Sequence, residues 1–234
     1  MTRLSLIVGI NYYRDANTLI SCLQDIRDWK DLLMQKFDFP VSSIRMLTQV
    51  KETTKRSILD SYRDFLSALK AGDYGIFIFS GHGGQFIVDE GGKQELVEGL
   101  RTSDDVIYST EIRQLLESHL NPHSRLVTVI DACHSGGATL QGSSVPSPWR
   151  SDHQNHVVLT SCRQSERAYG DAIGGTMRGV FTYYLSQSLQ QSQKLTFREF
   201  LDYIKNHLPN KQKGYHQTPQ FFGTPENLDQ SIIV

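Results

Sequence analysis

At 234 residues the chain is long enough for one large domain or two small ones with a sizeable core. Its 24 Lys and Arg against 25 Asp and Glu leave a formal charge of −1, without the basic excess that binding to nucleic acid or an anionic membrane uses. The longest apolar runs, "LSLIVGI" and "YGIFIFS", fall far short of the ~20 residues that span a bilayer. Three cysteines, Cys22, Cys133 and Cys162, make no even-numbered disulfide framework, so a reducing cytoplasm is the expected setting.

The opening "MTRLSLIVGINYY" lacks a small-residue cleavage site and reads as a first strand over 3–10, continuous and apolar as a strand covered on both faces should be. From Asn17 to Phe37 apolar residues recur at helical spacing until Pro40 ends the pattern. "SIRMLTQ" (43–49) reads as a short strand. "TTKRSILDSYRDFLSALKAG" follows as an amphipathic helix, with Thr53 or Thr54 to cap it and Gly72 beyond its end. "YGIFIFS" (74–80) is a third buried strand and ends in "GHGG". Residues 85–105 are polar and acidic, expected as a hairpin and loop. "STEIRQLLESHL" (109–120) reads as a helix and "RLVTVIDA" (125–132) as a fourth strand. The stretch 136–155, rich in Gly, Ser and Pro, is expected to be an irregular, mobile loop. "HVVLTSC" (156–162) is a fifth strand, "GVFTYYLSQSLQQ" and "TFREFLDYIKNHL" are helices, and "YHQTPQFFG" is an edge strand. The alternation predicts an α/β fold with a mostly parallel six-stranded sheet and helices on both faces, whose site lies outside the carboxyl ends of the strands.

Two strands end in unusual polar clusters. His82 follows the third and Cys133 the fourth. A thiol is a useful nucleophile only as thiolate and needs a base, which an imidazole from a neighbouring strand end supplies. His134 is nearer in sequence, but consecutive residues of an extended segment point to opposite faces, so His82 is the expected base and His134 lies outside the site. The same alternation puts Asp131 on the face of Cys133 and Ser80 on the face of His82. The N–H groups of Gly83 and Cys133 are candidates for an oxyanion hole, the surrounding glycines allowing close approach to a substrate. A phosphate-cradling loop is the competing reading, but no GxxxxGK[ST] is present and no helix is expected directly after "SGHGG".

"FIFSGHGGQ" with "VIDACHSGG" resembles the caspase-type cysteine peptidases, and "DACHSG" is most similar to the metacaspase and prokaryotic orthocaspase branch. "VGINYY", "LTSC", "GVFTYYL" and "QTPQFFG" extend the likeness over nearly the whole chain. The resemblance implies one caspase-like peptidase domain over 1–234, with a large-subunit-like part (1–140), a loop (138–155) and a small-subunit-like part (156–234). It implies Cys133 as nucleophile, His82 as general base and acid, and a specificity pocket of Cys22, Asp25, Ser80 and Asp131. Cys22 and Asp25, spaced i and i+3, share one helix face. Two carboxylates beside the thiol suit a guanidinium or ammonium, with Arg favoured over Lys by its planar fork; this implies cleavage after Arg or Lys in protein or peptide substrates. Arg150 is the only Lys or Arg between Cys133 and Arg163, which makes Arg150–Ser151 the expected position for any processing nick; a plain surface arginine is the alternative.

Some metacaspases carry an acidic calcium site, for which Asp89, Glu90, Asp104 and Asp105 are the available oxygen donors; calcium takes six or more, so a solvated acidic loop is the competing reading and no cofactor is required. Zinc on His82, Cys133 and His134 lacks a fourth ligand at compatible spacing. The resemblance further implies a monomer in signalling, cell death or defence, activated by processing or a protein partner. A non-catalytic interaction module, or a peptidase of the same clan cutting after Asn or Asp, are the alternatives; the intact cysteine and histidine speak against the first, the two carboxylates against the second.

Overall fold

The computed structural model describes residues 1–91, 93–133, 149, 155–163, 165–191 and 195–232. The first half runs β1 (Arg3–Gly9), α1 (Cys22–Lys36), β2 (Ile44–Leu47), α2 (Lys55–Ala68) and β3 (Tyr74–Ser80). A hairpin of β4 (Gly83–Glu90) and β5 (Lys93–Arg101) leads into β6 (Val106–Tyr108), α3 (Ser109–His119) and β7 (Arg125–Asp131). Then come β8 (His156–Thr160), a hairpin of β9 (Gly170–Ile173) and β10 (Thr176–Gly179), α4 (Val180–Gln191), α5 (Phe197–Lys205), β11 (Gln220–Phe222) and α6 (Pro225–Leu228).

Six strands form the central sheet in the order β11-β8-β7-β3-β1-β2, parallel except for β11 at the edge. All seven residues of β3 are buried, as its unbroken apolar run requires of a strand covered on both faces. Period-2 alternation divides that run between two cores. Ile76 and Ile78 join Ile26, Trp29 and Leu33 of α1 and Phe181 and Leu185 of α4 in one core; Phe77 and Phe79 join Ile58, Tyr62 and Leu66 of α2 and Ile112 and Leu116 of α3 in the other. The result is a three-layer α/β sandwich with the expected six-stranded sheet.

Several local expectations shift. The first helix begins at Cys22, five residues after Asn17, which leaves 11–21 as an irregular segment and puts Cys22 and Asp25 in the first helical turn. Thr54, of the two threonines, caps α2 by accepting the Ser57 N–H at 3.3 Å. The "GHGG" turn passes straight into a strand, since β4 starts at Gly83. β9 and β10 have no counterpart in the sequence reading; their four-residue length leaves too little periodicity to register. Most of the stretch expected as an irregular, mobile loop over 136–155 lies outside the described residues, but Trp149 within it is 1 % exposed and packs in the second core. Its large apolar ring overrides the polar composition around it. No described helix is long and apolar enough to cross a membrane.

Candidate active site

In-register pairing aligns the carboxyl ends of three parallel strands: Gly9 of β1 lies beside Ser80 of β3, and Ser80 beside Asp131 of β7. The chain continues from these ends to His82 and Cys133. The Gly81 N–H donates to the Asp131 carbonyl at 3.2 Å, holding the two exits together. Gly83 packs so tightly on the backbone of Cys133 that an added Cβ would lie 2.4 Å from the Cys133 carbonyl oxygen. Only glycine fits there.

A cavity of about 220 Å³ opens at this point. Its walls include His82 and Cys133 together with all four residues expected of the pocket: Cys22, Asp25, Ser80 and Asp131. Residues up to 111 positions apart, from Cys22 to Cys133, are thus brought to one hollow. His134, Gly136, Gly137 and Arg150 lie outside the described residues.

His82 is held from three sides. Its backbone N–H donates to the Tyr13 hydroxyl at 2.8 Å, and that hydroxyl donates onward to the Ile10 carbonyl at 2.9 Å. The Tyr13 and His82 rings lie 4.7 Å apart. His82 Nε2 sits 2.7 Å from the Asn17 carbonyl oxygen. A carbonyl only accepts, so Nε2 carries the proton and Nδ1 is left to receive one. Neither Tyr13 nor Asn17 was singled out from the sequence: the aromatic pair in "VGINYY" marks the first, while a backbone carbonyl leaves no residue signature for the second.

The Cys133 thiol, half-buried, donates to the Ala168 carbonyl at a sulfur–oxygen distance of 3.9 Å. Burial pushes its pKa up, aided by the Asp131 charge and opposed by the Ala168 contact and the Arg167 charge. At neutral pH the sulfur is therefore a thiol and not a thiolate. Burial likewise pushes the Cys22 thiol up to about 12.

The floor of the hollow is acidic. Asp25 accepts Ser80 Oγ at 2.9 Å and the Gly179 N–H at 2.6 Å. Asp131 accepts Thr182 Oγ1 at 2.7 Å and the Thr182 N–H at 3.3 Å. Gly179 and Thr182 flank the start of α4, so the positive end of that helix faces both carboxylates. Burial nonetheless raises both acids, with mutual repulsion the next contribution for Asp25, which reaches about 8. A Cβ on Gly179 would sit 2.6 Å from Asp131 Oδ2 and 2.9 Å from Asp25 Oδ2, so its missing side chain keeps the floor open. The hairpin that delivers Gly179 is tied to α1 by Arg178, whose Nε lies 2.6 Å from Asp28 Oδ2 and whose Nη1 donates to the Ile173 carbonyl at 2.9 Å.

The acidic loop is engaged by protein donors. Asp104 accepts the Lys55 N–H and Thr102 Oγ1, each at 2.9 Å, and Asp105 lies 3.9 Å from Lys55 Nζ. No cluster of three or more His, Cys, Asp or Glu suited to a metal occurs among the described residues.

The family model described as Caspase domain, Peptidase_C14, matches residues 2–227. Metacaspase-1 of Plasmodium falciparum is 27% identical over 230 residues, covering 87% of this chain and 38% of that protein. Metacaspase-3 of Arabidopsis thaliana is 34% identical over 142 residues, covering 56% of this chain and 39% of that protein. The chain thus spans well under half the length of these curated relatives. A crystal structure of a Geobacter sulfurreducens protein, 20% identical, superposes with a TM-score of 0.76 over 100% of this chain and 99% of that one, a likeness of fold.

Proposed function

The chain belongs to the caspase-domain family and is of metacaspase type, and on that premise we propose that it is a cysteine endopeptidase cutting after arginine or lysine. The observation that carries this reading is one hollow lined at once by Cys133, His82 and two buried carboxylates. A guanidinium entering it meets Asp25 and Asp131, already oriented by Ser80, Gly179 and Thr182, and the charge-assisted bonds it forms favour the ionised carboxylates that burial and mutual repulsion otherwise oppose. An aspartate side chain there would bring a further negative charge against two acidic groups that already oppose each other's ionisation.

With the basic side chain seated, that residue's own backbone carbonyl, on the C-terminal side of its Cα, lies over the thiol. His82 Nδ1 takes the thiol proton as Sγ bonds to the carbonyl carbon, and the carbonyl electrons move to oxygen. The N–H groups of Gly83 and Cys133 are the donors assigned to that oxyanion. Collapse breaks the C–N bond, His82 returns the proton to the leaving amine, and a water deprotonated by His82 then releases the acyl group from sulfur. The Nε2 bond to Asn17 fixes the imidazole tautomer through these transfers.

The test is turnover of fluorogenic peptides ending in Arg, Lys, Asp or Asn. Arginyl and lysyl peptides are expected to be cleaved, the acidic and amide ones not, and Cys133→Ala and His82→Ala to be inactive. Equal turnover by Cys133→Ala, or preference for aspartyl peptides, would overturn the reading.

A further inference from the structure

The segment "YHQTPQFFG" contains a buried side chain that the chemistry above does not use. Gln217 is 0 % exposed. Its Oε1 accepts the Tyr169 N–H at 2.9 Å and its Nε2 donates to the Ser161 carbonyl at 3.1 Å. Both partners are backbone groups of fixed polarity, so the amide has one orientation that satisfies both.

Each partner leads directly to the site. Ser161 Oγ donates to the Ala132 carbonyl and accepts the Ala132 N–H, both at 3.1 Å, gripping the peptide groups on either side of the residue before Cys133. Tyr169, with its neighbour Ala168, lines the pocket; the Ala168 carbonyl receives the Cys133 thiol, and the Tyr169 carbonyl accepts the Val180 N–H at 2.8 Å, at the start of α4. One side chain therefore spans the strand exit that holds the nucleophile and the wall that holds its hydrogen-bond acceptor, the Ala168 carbonyl, and adjoins the acidic floor.

We propose that Gln217 is a positioning residue that sets the nucleophile and the pocket wall in register. This rests on the peptidase reading but concerns a residue that touches no substrate. Gln217→Glu keeps the size and the acceptor for Tyr169 while placing an oxygen against the Ser161 carbonyl; Gln217→Leu removes both bonds. A register error of the order of 1 Å at a reacting centre costs about a hundredfold in rate.

The experiment measures kcat/KM on an arginyl fluorogenic peptide, the pH profile of Cys133 alkylation by iodoacetamide, and the Tm of wild type, Gln217→Glu and Gln217→Leu. Expected are kcat/KM losses of about ten- to a hundredfold and a displaced alkylation profile in both variants, in protein that still melts cooperatively. Should Gln217→Leu fail to fold, Gln217→Glu carries the test alone. Activity within twofold of wild type overturns the proposal, as does a lowered Tm with an unchanged alkylation profile. If wild type cleaves no arginyl or lysyl peptide, the peptidase reading fails instead, and alkylation still decides the role of Gln217.

Discussion

Asp25 is buried next to a second carboxylate, and at neutral pH the empty pocket holds its proton, since its pKa is raised to about 8. If, as proposed, the ionised form binds a guanidinium, affinity for an arginyl peptide should strengthen as pH rises toward that value. KM is expected to fall by up to about tenfold per pH unit between 6 and 8 and to level off above, whereas a citrulline peptide should show no such slope; steady-state kinetics across pH checks this. The same shift has the opposite sign for stability. Between the unfolded carboxylate value of ~4 and about 8 the folded chain binds the proton more tightly, so stability declines as pH rises through that window. Asp25→Asn should flatten the decline in denaturant melts and cut kcat/KM on arginyl peptides by about a hundredfold or more. The place of Asp25 and Cys22 in the hollow was legible in the sequence through the family resemblance and their i, i+3 spacing. Gly179 was not: nothing in "TMRG" says that a glycine sits against two carboxylates contributed from 154 and 48 residues away.

The β9–β10 hairpin was also invisible to periodicity, and it is the element that closes the acidic floor. Arg178 fastens it to α1 through Asp28, one turn beyond Asp25. Removing that tie by Arg178→Ala or Asp28→Asn should raise KM for arginyl peptides by a few- to about tenfold, for a partly exposed charged pair, while leaving kcat nearly unchanged. A KM unmoved in both variants would show that the hairpin needs no such fastening. The opposite case is β3, where an unbroken apolar run announced both the strand and its burial, because only a strand covered on both faces tolerates such a run.

Across the whole molecule, two cores on opposite faces of one sheet position three strand ends, and Trp149 inserts into the core on the α2 and α3 side. Trp149→Ala should lower stability by about 3–5 kcal/mol, as loss of a buried tryptophan ring does; a change below ~1 kcal/mol in denaturant unfolding would show the ring to be dispensable. That burial follows from packing, and composition alone pointed the other way. By itself the sequence determined the layered architecture, since apolar period and strand-helix alternation are local properties each segment carries within it. It also pointed to the one hollow that Cys133 and His82 both line, since each residue follows an apolar strand that ends at the same edge of a parallel sheet. The tertiary structure alone decided which backbone groups orient those side chains: Asn17 and Tyr13 for His82, Ser161 and Gln217 for the Cys133 segment, Gly179 for the carboxylates. Hydrogen bonds to main-chain atoms depend on where the chain passes in space, and a residue's identity does not record them.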